Sequence, residues 1–128
     1  MENDRKPLIL VAEDDIFISD AQRNKLAKEG FDVCIAGNGI EVLAKAREKA
    51  PDIILLDLIM PLKDGFETLK ELKADAKLKN IKVIVLSNLS EAEDKKKVMD
   101  MGAIDYVVKA NSSLREIVEL IKRNLKVA

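Results

Sequence analysis

Histidine is absent from all 128 residues, which excludes a Ser-His-Asp triad, a histidine-ligated metal and a phosphohistidine relay within this chain. Any imidazole chemistry has to come from a partner. The single cysteine, Cys34, lies in an apolar stretch and can form neither an internal disulfide nor a thiolate metal cage. It reads as a small buried hydrophobe in a protein of a reducing compartment. Neither sign of charge dominates, with 23 acidic against 22 basic residues, so nothing suggests direct binding to nucleic acid. No apolar run approaches the roughly 18 residues that span a bilayer, and the N-terminal Glu2-Asn3-Asp4-Arg5-Lys6 is charged rather than signal-like. The expectation is a cytoplasmic chain with no membrane contact. Repeats, low-complexity segments and linkers are also missing, and the length suits a single domain over residues 1–128.

What is present is a regular alternation of two patterns. Short runs rich in Val, Ile and Leu, bounded by Gly, Pro, Asp or Asn, predict strands at 8–12, 31–36, 53–57, 81–87 and 104–108. Three of them lack polar alternation, as strands covered on both faces do. Phe31-Asp32-Val33-Cys34-Ile35 does alternate and belongs at an edge. Helices are predicted at 16–29, 39–50, 65–77, 91–101 and 113–125. Phe66, Leu69, Leu72 and Ala76 form one apolar face, and Leu114, Ile117, Val118, Ile121 and Leu125 another. The first helix offers only a thin stripe of Ile18, Ala21 and Leu26, with Gln22 and Lys25 where apolar groups are wanted. Ser112 or Ser113 is expected to cap the last helix and Ser90 the fourth. Five βα units with right-handed crossovers make a doubly wound α/β sandwich around one parallel sheet.

Four of the strands end on groups capable of phosphate chemistry. Glu13-Asp14-Asp15 follow the first, Asp57 the third, Ser87 the fourth and Lys109 the fifth. In an open parallel sheet these carboxyl ends meet on the ligand-binding side. Asp15 alone reads as a helix cap near a positive dipole end. Glu13 and Asp14 beside Asp57 would repel one another unless a cation lay among them, and Mg2+ suits a few carboxylate oxygens with retained water. Asp57 ends a buried run and precedes a loop punctuated by Pro61 and Gly65, so it is the carboxylate placed to attack phosphorus and form an acyl phosphate. Taken singly, Ser87 reads as a cap and Lys109 as a solvated charge. Together at the acidic edge they supply the donor and cation that a phosphoryl group on Asp57 requires. Tyr106 reads equally as an aromatic packed on the last helix or as a mobile reporter.

Glu13-Asp14, Asp57 with Met60-Pro61 and Asp64-Gly65, Ser87, Tyr106 and Lys109, each after its strand, resemble the receiver domain of two-component response regulators over essentially the whole chain. The resemblance implies a flavodoxin-like sheet of order 2-1-3-4-5. It implies that Asp57 accepts phosphate from a sensor histidine kinase or histidine phosphotransfer protein. Asp14, Asp57 and the Ile59 carbonyl would bind magnesium, with Glu13 acting mostly through water. Ser87 and Lys109 would contact the phosphoryl group, and Tyr106 would swing inward as Ser87 moves. Ile59 and Leu89, two past the acceptor and two past the hydroxyl, would flank the attacking water; both are apolar, which implies a long-lived phosphoryl state.

Three positions depart from the family pattern. Ser87 stands for the commoner Thr, Asn88 for a small Ala or Gly, and Ala110 for the Pro that usually follows the Lys through a cis bond. Asn88 is expected either to slow donor access or to help hold the phosphate. A cis bond before Ala110 would cost about 2.5–4 kcal/mol, so the Lys109–Ala110 bond is expected to be trans. No output domain is expected to follow the last helix. Output then goes to a protein target through the fourth helix, fifth strand and fifth helix, from a monomer or a phosphorylation-dependent dimer. Glu93-Asp94-Lys95-Lys96-Lys97 on that face is a solvated run that could steer a partner. A phosphatase of the haloacid dehalogenase type needs an Asp where Ile59 stands, which argues against a turnover enzyme. A flavin carrier wants a phosphate loop where three acids stand. The remaining alternative is a degenerate, phosphate-independent docking module.

Overall fold

The computed structural model describes residues 6–88 and 92–125. Five strands, β1 (Leu8–Ala12), β2 (Asp32–Ala36), β3 (Ile53–Leu56), β4 (Lys82–Ser87) and β5 (Asp105–Val108), form one parallel sheet in the order β2-β1-β3-β4-β5. Between them run α1 (Ile16–Lys28), α2 (Gly39–Lys49), α3 (Gly65–Ala74) and α4 (Ala92–Asp100), and α5 (Leu114–Leu125) follows β5. This is the doubly wound, flavodoxin-like arrangement, and β2 takes the edge that its alternating sequence requires. No helix among the described residues is long and apolar enough to cross a membrane.

Strand periodicity divides the core into two layers. Leu10 and Ala12, Ile54 and Leu56, and Val83 and Val85 face one cluster with residues of α2, α3 and α4. Their neighbours Ile9 and Val11, Ile53 and Leu55, and Ile84 and Leu86 face the other with residues of α1 and α5. Both faces of the central strands are therefore dry, and full burial of each Leu or Ile contributes about 1.5–3 kcal/mol. That accounts for continuous apolar runs in place of alternation.

The helix starts follow local chemistry. Asp15, Asn38 and Asp64 cap α1, α2 and α3 by accepting backbone N–H groups. Ser113, of the two serines expected, caps α5: its Oγ accepts the Glu116 N–H at 3.1 Å while Glu116 Oε1 accepts the Ser113 N–H at 2.8 Å. The expected Ser90 cap lies outside the described residues.

Two expectations need correction. Helix α3 stops at Ala74, because the Asp75 carboxylate takes the Lys77 N–H at 2.8 Å and draws the backbone into a turn. Ala76 is thereby exposed, and Leu78 fills the core position instead. In α1 the inward face is Ser19, Gln22 and Leu26, whereas Ile18 and Ala21 turn to solvent. The face is set by Leu26, which must enter the core, and the positions four and seven before it happen to be polar. Gln22 is buried, and its Oε1 has no donor among the described residues.

Candidate functional site

The parallel register brings the carboxyl ends of β1, β3, β4 and β5 to one edge. Backbone bonds continue the ladder just past the strands, with the Asp57 N–H on Ala12 O at 3.2 Å and the Glu13 N–H on Ala36 O at 3.0 Å. Asp57 and Glu13 therefore leave the sheet from fixed backbone. One carboxylate oxygen from each of Glu13, Asp14 and Asp57 lies within 4.8 Å of the others. Asp57 is 6% exposed and Glu13 4%, whereas Asp14 is open to solvent.

The three consecutive acids divide their work. Asp15 Oδ1 accepts the N–H groups of Phe17 and Ile18 at 2.9 and 3.2 Å, so this carboxylate is spent on the helix end. The Asp15 N–H in turn holds Glu13 Oε2 at 3.1 Å. Glu13 and Asp14 remain for the cleft.

Both oxygens of Asp57 are engaged. Oδ1 accepts the Ile59 N–H at 3.1 Å, and Oδ2 accepts from Lys109 Nζ at 2.8 Å. The Lys109 ammonium also donates to Glu13 Oε1, bridging the two buried acids. Burial alone would push Lys109 down, but its bonds to Asp57 and Glu13 outweigh that and hold it above its ordinary value. Glu13 moves up from the usual carboxylate range because burial dominates over the Lys109 contact. The Lys109–Ala110 bond is trans, as the cost argument requires.

A glycine cradles the acid from below. Gly65 donates its N–H to Leu58 O at 2.9 Å, and a Cβ on Gly65 would stand 2.3 Å from Asp57 O. Only a residue without a side chain lets α3 start this close to the acidic loop.

The structure thus brings together Glu13, Asp14, Asp57 and Lys109. Ser87 lies at the same sheet edge, opposite Val108, and is fully buried. The Ile59 side chain is 60% exposed beside the cleft. Tyr106 is not packed on the last helix: it belongs to the cluster with Val98 and Ala103 on the α4 side. There it already lies buried, and burial with Asp94 nearby raises its phenol. Sequence reasoning missed two contacts, the Lys109 bridge to Glu13 and a bond between Asn88 and Ala110. Both cross between elements far apart in the chain, and the odd residues at 88 and 110 were the only signal for the second.

The donor set is all oxygen, with two buried carboxylates that a single ammonium does not neutralise, and that chemistry fits a hard divalent cation such as Mg2+. Sheet order, acid cluster and bridging Lys define an α/β module with an acidic, lysine-bridged cleft at the carboxyl edge of its sheet. The chain belongs to the response regulator receiver domain family, whose model matches residues 9–122. It is 40% identical over 103 residues to the DNA-binding dual master transcriptional regulator RpaA of Synechocystis sp., covering 80% of this chain and 43% of that protein. The chain spans about half the length of the curated relatives it matches. The phosphorylated cyanobacterial phytochrome response regulator RcpA superposes with a TM-score of 0.81 at 31% identity, covering 97% of both chains. The Mn(2+)-bound response regulator Rcp1 gives a TM-score of 0.82 at 27% identity, covering 95% of this chain and 97% of that one.

Proposed function

We propose that this chain is a phosphoacceptor switch in which Asp57 takes a phosphoryl group from a phosphohistidine of a sensor histidine kinase or histidine phosphotransfer protein. The reading is carried by one observation: a buried carboxylate at a strand end, within 4.8 Å of two further carboxylates and 2.8 Å from a lysine ammonium. One Asp57 oxygen bonds to phosphorus while the donor's P–N bond breaks. The imidazole leaves with the electron pair and is protonated. Lys109 pairs with the phosphoryl oxygens, and Ser87 gives its hydroxyl to them. Asp14, Asp57 and the Ile59 carbonyl would hold Mg2+, with Glu13 contributing through water. When bound, the cation supplies charge neutralisation at the transferring group.

Conversion of Asp57 to an acyl phosphate removes Lys109 from its present pairing with Glu13 and Asp57 and biases the face of α4, β5 and α5 toward a downstream protein partner. The family is a signalling module, and one modification per activation event suits that role better than turnover. RcpA in its phosphorylated form and Rcp1 with bound manganese support the chemistry by kinship. RpaA is named as DNA-binding, and this chain spans 43% of it. Contact with a protein, not with nucleic acid, is the output proposed for the present residues.

Incubation with acetyl phosphate and magnesium, read by intact mass, tests the reading. One phosphoryl increment that requires the cation and disappears in Asp57→Asn is the expected result. Undiminished labelling of Asp57→Asn would overturn the assignment of the acceptor. A complete absence of labelling in the parent would leave a phosphate-independent docking module.

A further inference from the structure

The residues at 88 and 110 touch. The β4–β5 ladder ends with Ser87 opposite Val108. One residue beyond, Asn88 Oδ1 accepts the N–H of Ala110 at 3.1 Å. The side-chain amide adds a rung past the last residue pair of the ladder and ties Asn88 to the turn that Lys109 opens.

Ala110 is the middle residue of a single 3₁₀ turn, Lys109–Asn111, closed by the Ser112 N–H on Lys109 O at 3.3 Å. Lys109 opens that turn. Its ammonium lies 2.8 Å from Asp57 Oδ2 on a side chain only 14% exposed. A lysine stem is flexible, so its head is placed no better than the backbone from which it springs. Proline at 110 would have no N–H to give, and alanine at 88 would have no oxygen to receive it.

We propose that Asn88 is a positioning residue for Lys109: by holding the Ala110 amide it fixes the turn from which the ammonium reaches Asp57. Displacement of Asn88 is then transmitted directly to Lys109. The consequence for phosphoryl chemistry rests on the proposed function, but the positioning itself does not.

The test uses the whole chain with Asn88→Ala, Ala110→Pro, the double variant and Asn88→Asp. Asn88 is exposed, so its replacement leaves the core untouched. Amide exchange at Ala110 is followed by NMR, and Lys109 reactivity toward an amine-directed ester is followed by mass spectrometry relative to Lys70. Loss of one hydrogen bond of ordinary strength corresponds to about a threefold to tenfold change. Asn88→Ala should speed both Ala110 exchange and Lys109 labelling by that factor, while Asn88→Asp, which keeps the acceptor oxygen, should preserve slow exchange. Ala110→Pro should speed Lys109 labelling equally, and the double variant should add nothing further. The rate of acetyl phosphate modification should fall in parallel. Unchanged Lys109 labelling in Asn88→Ala, or additive effects in the double variant, would overturn the proposal. If the parent takes no phosphoryl group, the acceptor reading fails, while exchange and labelling still decide the role of Asn88.

Discussion

Gly65→Ala pits a local gain against a long-range clash. Alanine is the better helix former by about 0.8–1.0 kcal/mol, and Gly65 is the first residue of α3. Against this, the new methyl would lie 2.3 Å from Asp57 O and 2.5 Å from Leu58 Cα. Both are backbone atoms, so neither can swing aside as the tip of a side chain would. Overpacking of this kind costs about 1–3 kcal/mol, at the upper end when backbone must move. Displacement of α3 also loses the Gly65 N–H bond to Leu58 O at 2.9 Å, about 1 kcal/mol more. The net is a destabilisation of about 2–3 kcal/mol. With an unfolding entropy of about 2.1 cal/mol/K per residue, the Tm should fall by about 7–11 °C. Thermal unfolding followed by circular dichroism reads this directly. Gly37→Ala is the matched control, because its nearest neighbour atom stands 3.8 Å away. A Gly65→Ala transition within about 2 °C of the parent would show that α3 can retreat from the acidic loop at no cost, and the close-approach argument would be wrong.

Lys109→Ala leaves Glu13 and Asp57 buried without their ammonium; it should cost toward the lower end of about 3–5 kcal/mol, and added magnesium should raise its Tm more than the parent's. Equal magnesium shifts in both would show that the two carboxylates do not form one electrostatic unit. Tyr106, the only tyrosine, has its phenol held above the ordinary 10.0 by burial and by Asp94. Because the folded value exceeds the unfolded one, its contribution to stability is whole below about pH 10 and is lost as pH rises through the folded value. Phenolate absorbance should therefore appear later in the folded chain than in urea, and coincident curves would refute the burial. Ile59→Asn combined with Leu89→Glu should shorten the lifetime of the phosphoryl group, measured by loss of the mass increment. Decay no faster than the parent's would mean that these side chains do not govern the water.

The strands were readable because burial on both faces leaves an unbroken apolar signature in β1, β3 and β4, whereas β2, at the edge, is only partly buried and opens on the exposed Asp32. The acids and Lys109 were readable for the same reason, since each terminates such a run. The inward face of α1 was not, because helical periodicity cannot distinguish a buried Gln22 from an exposed Ile18 when a single leucine decides the rotation. The early end of α3 depends on one carboxylate capturing a nearby N–H in place of another helical turn. The Asn88–Ala110 bond depends on the register of β4 against β5, which no local pattern encodes.

Three carboxylates against one ammonium leave the cleft with two uncancelled negative charges, and Asp15, tied to its helix, adds little to them. Seen from a distance, this edge of the sheet repels any dianion. One divalent cation brings it to electroneutrality, whereas a monovalent ion halves the surplus and no more. A divalent cation held there would thus act before any bond is made, by lowering the barrier to approach for a phosphorylated donor. That barrier is long-ranged and lies partly in solvent, so salt screens it within about 10 Å at 0.1 M ionic strength. Encounter with an anionic donor should accordingly quicken with salt when the cation is scarce and become nearly indifferent to salt when it is abundant.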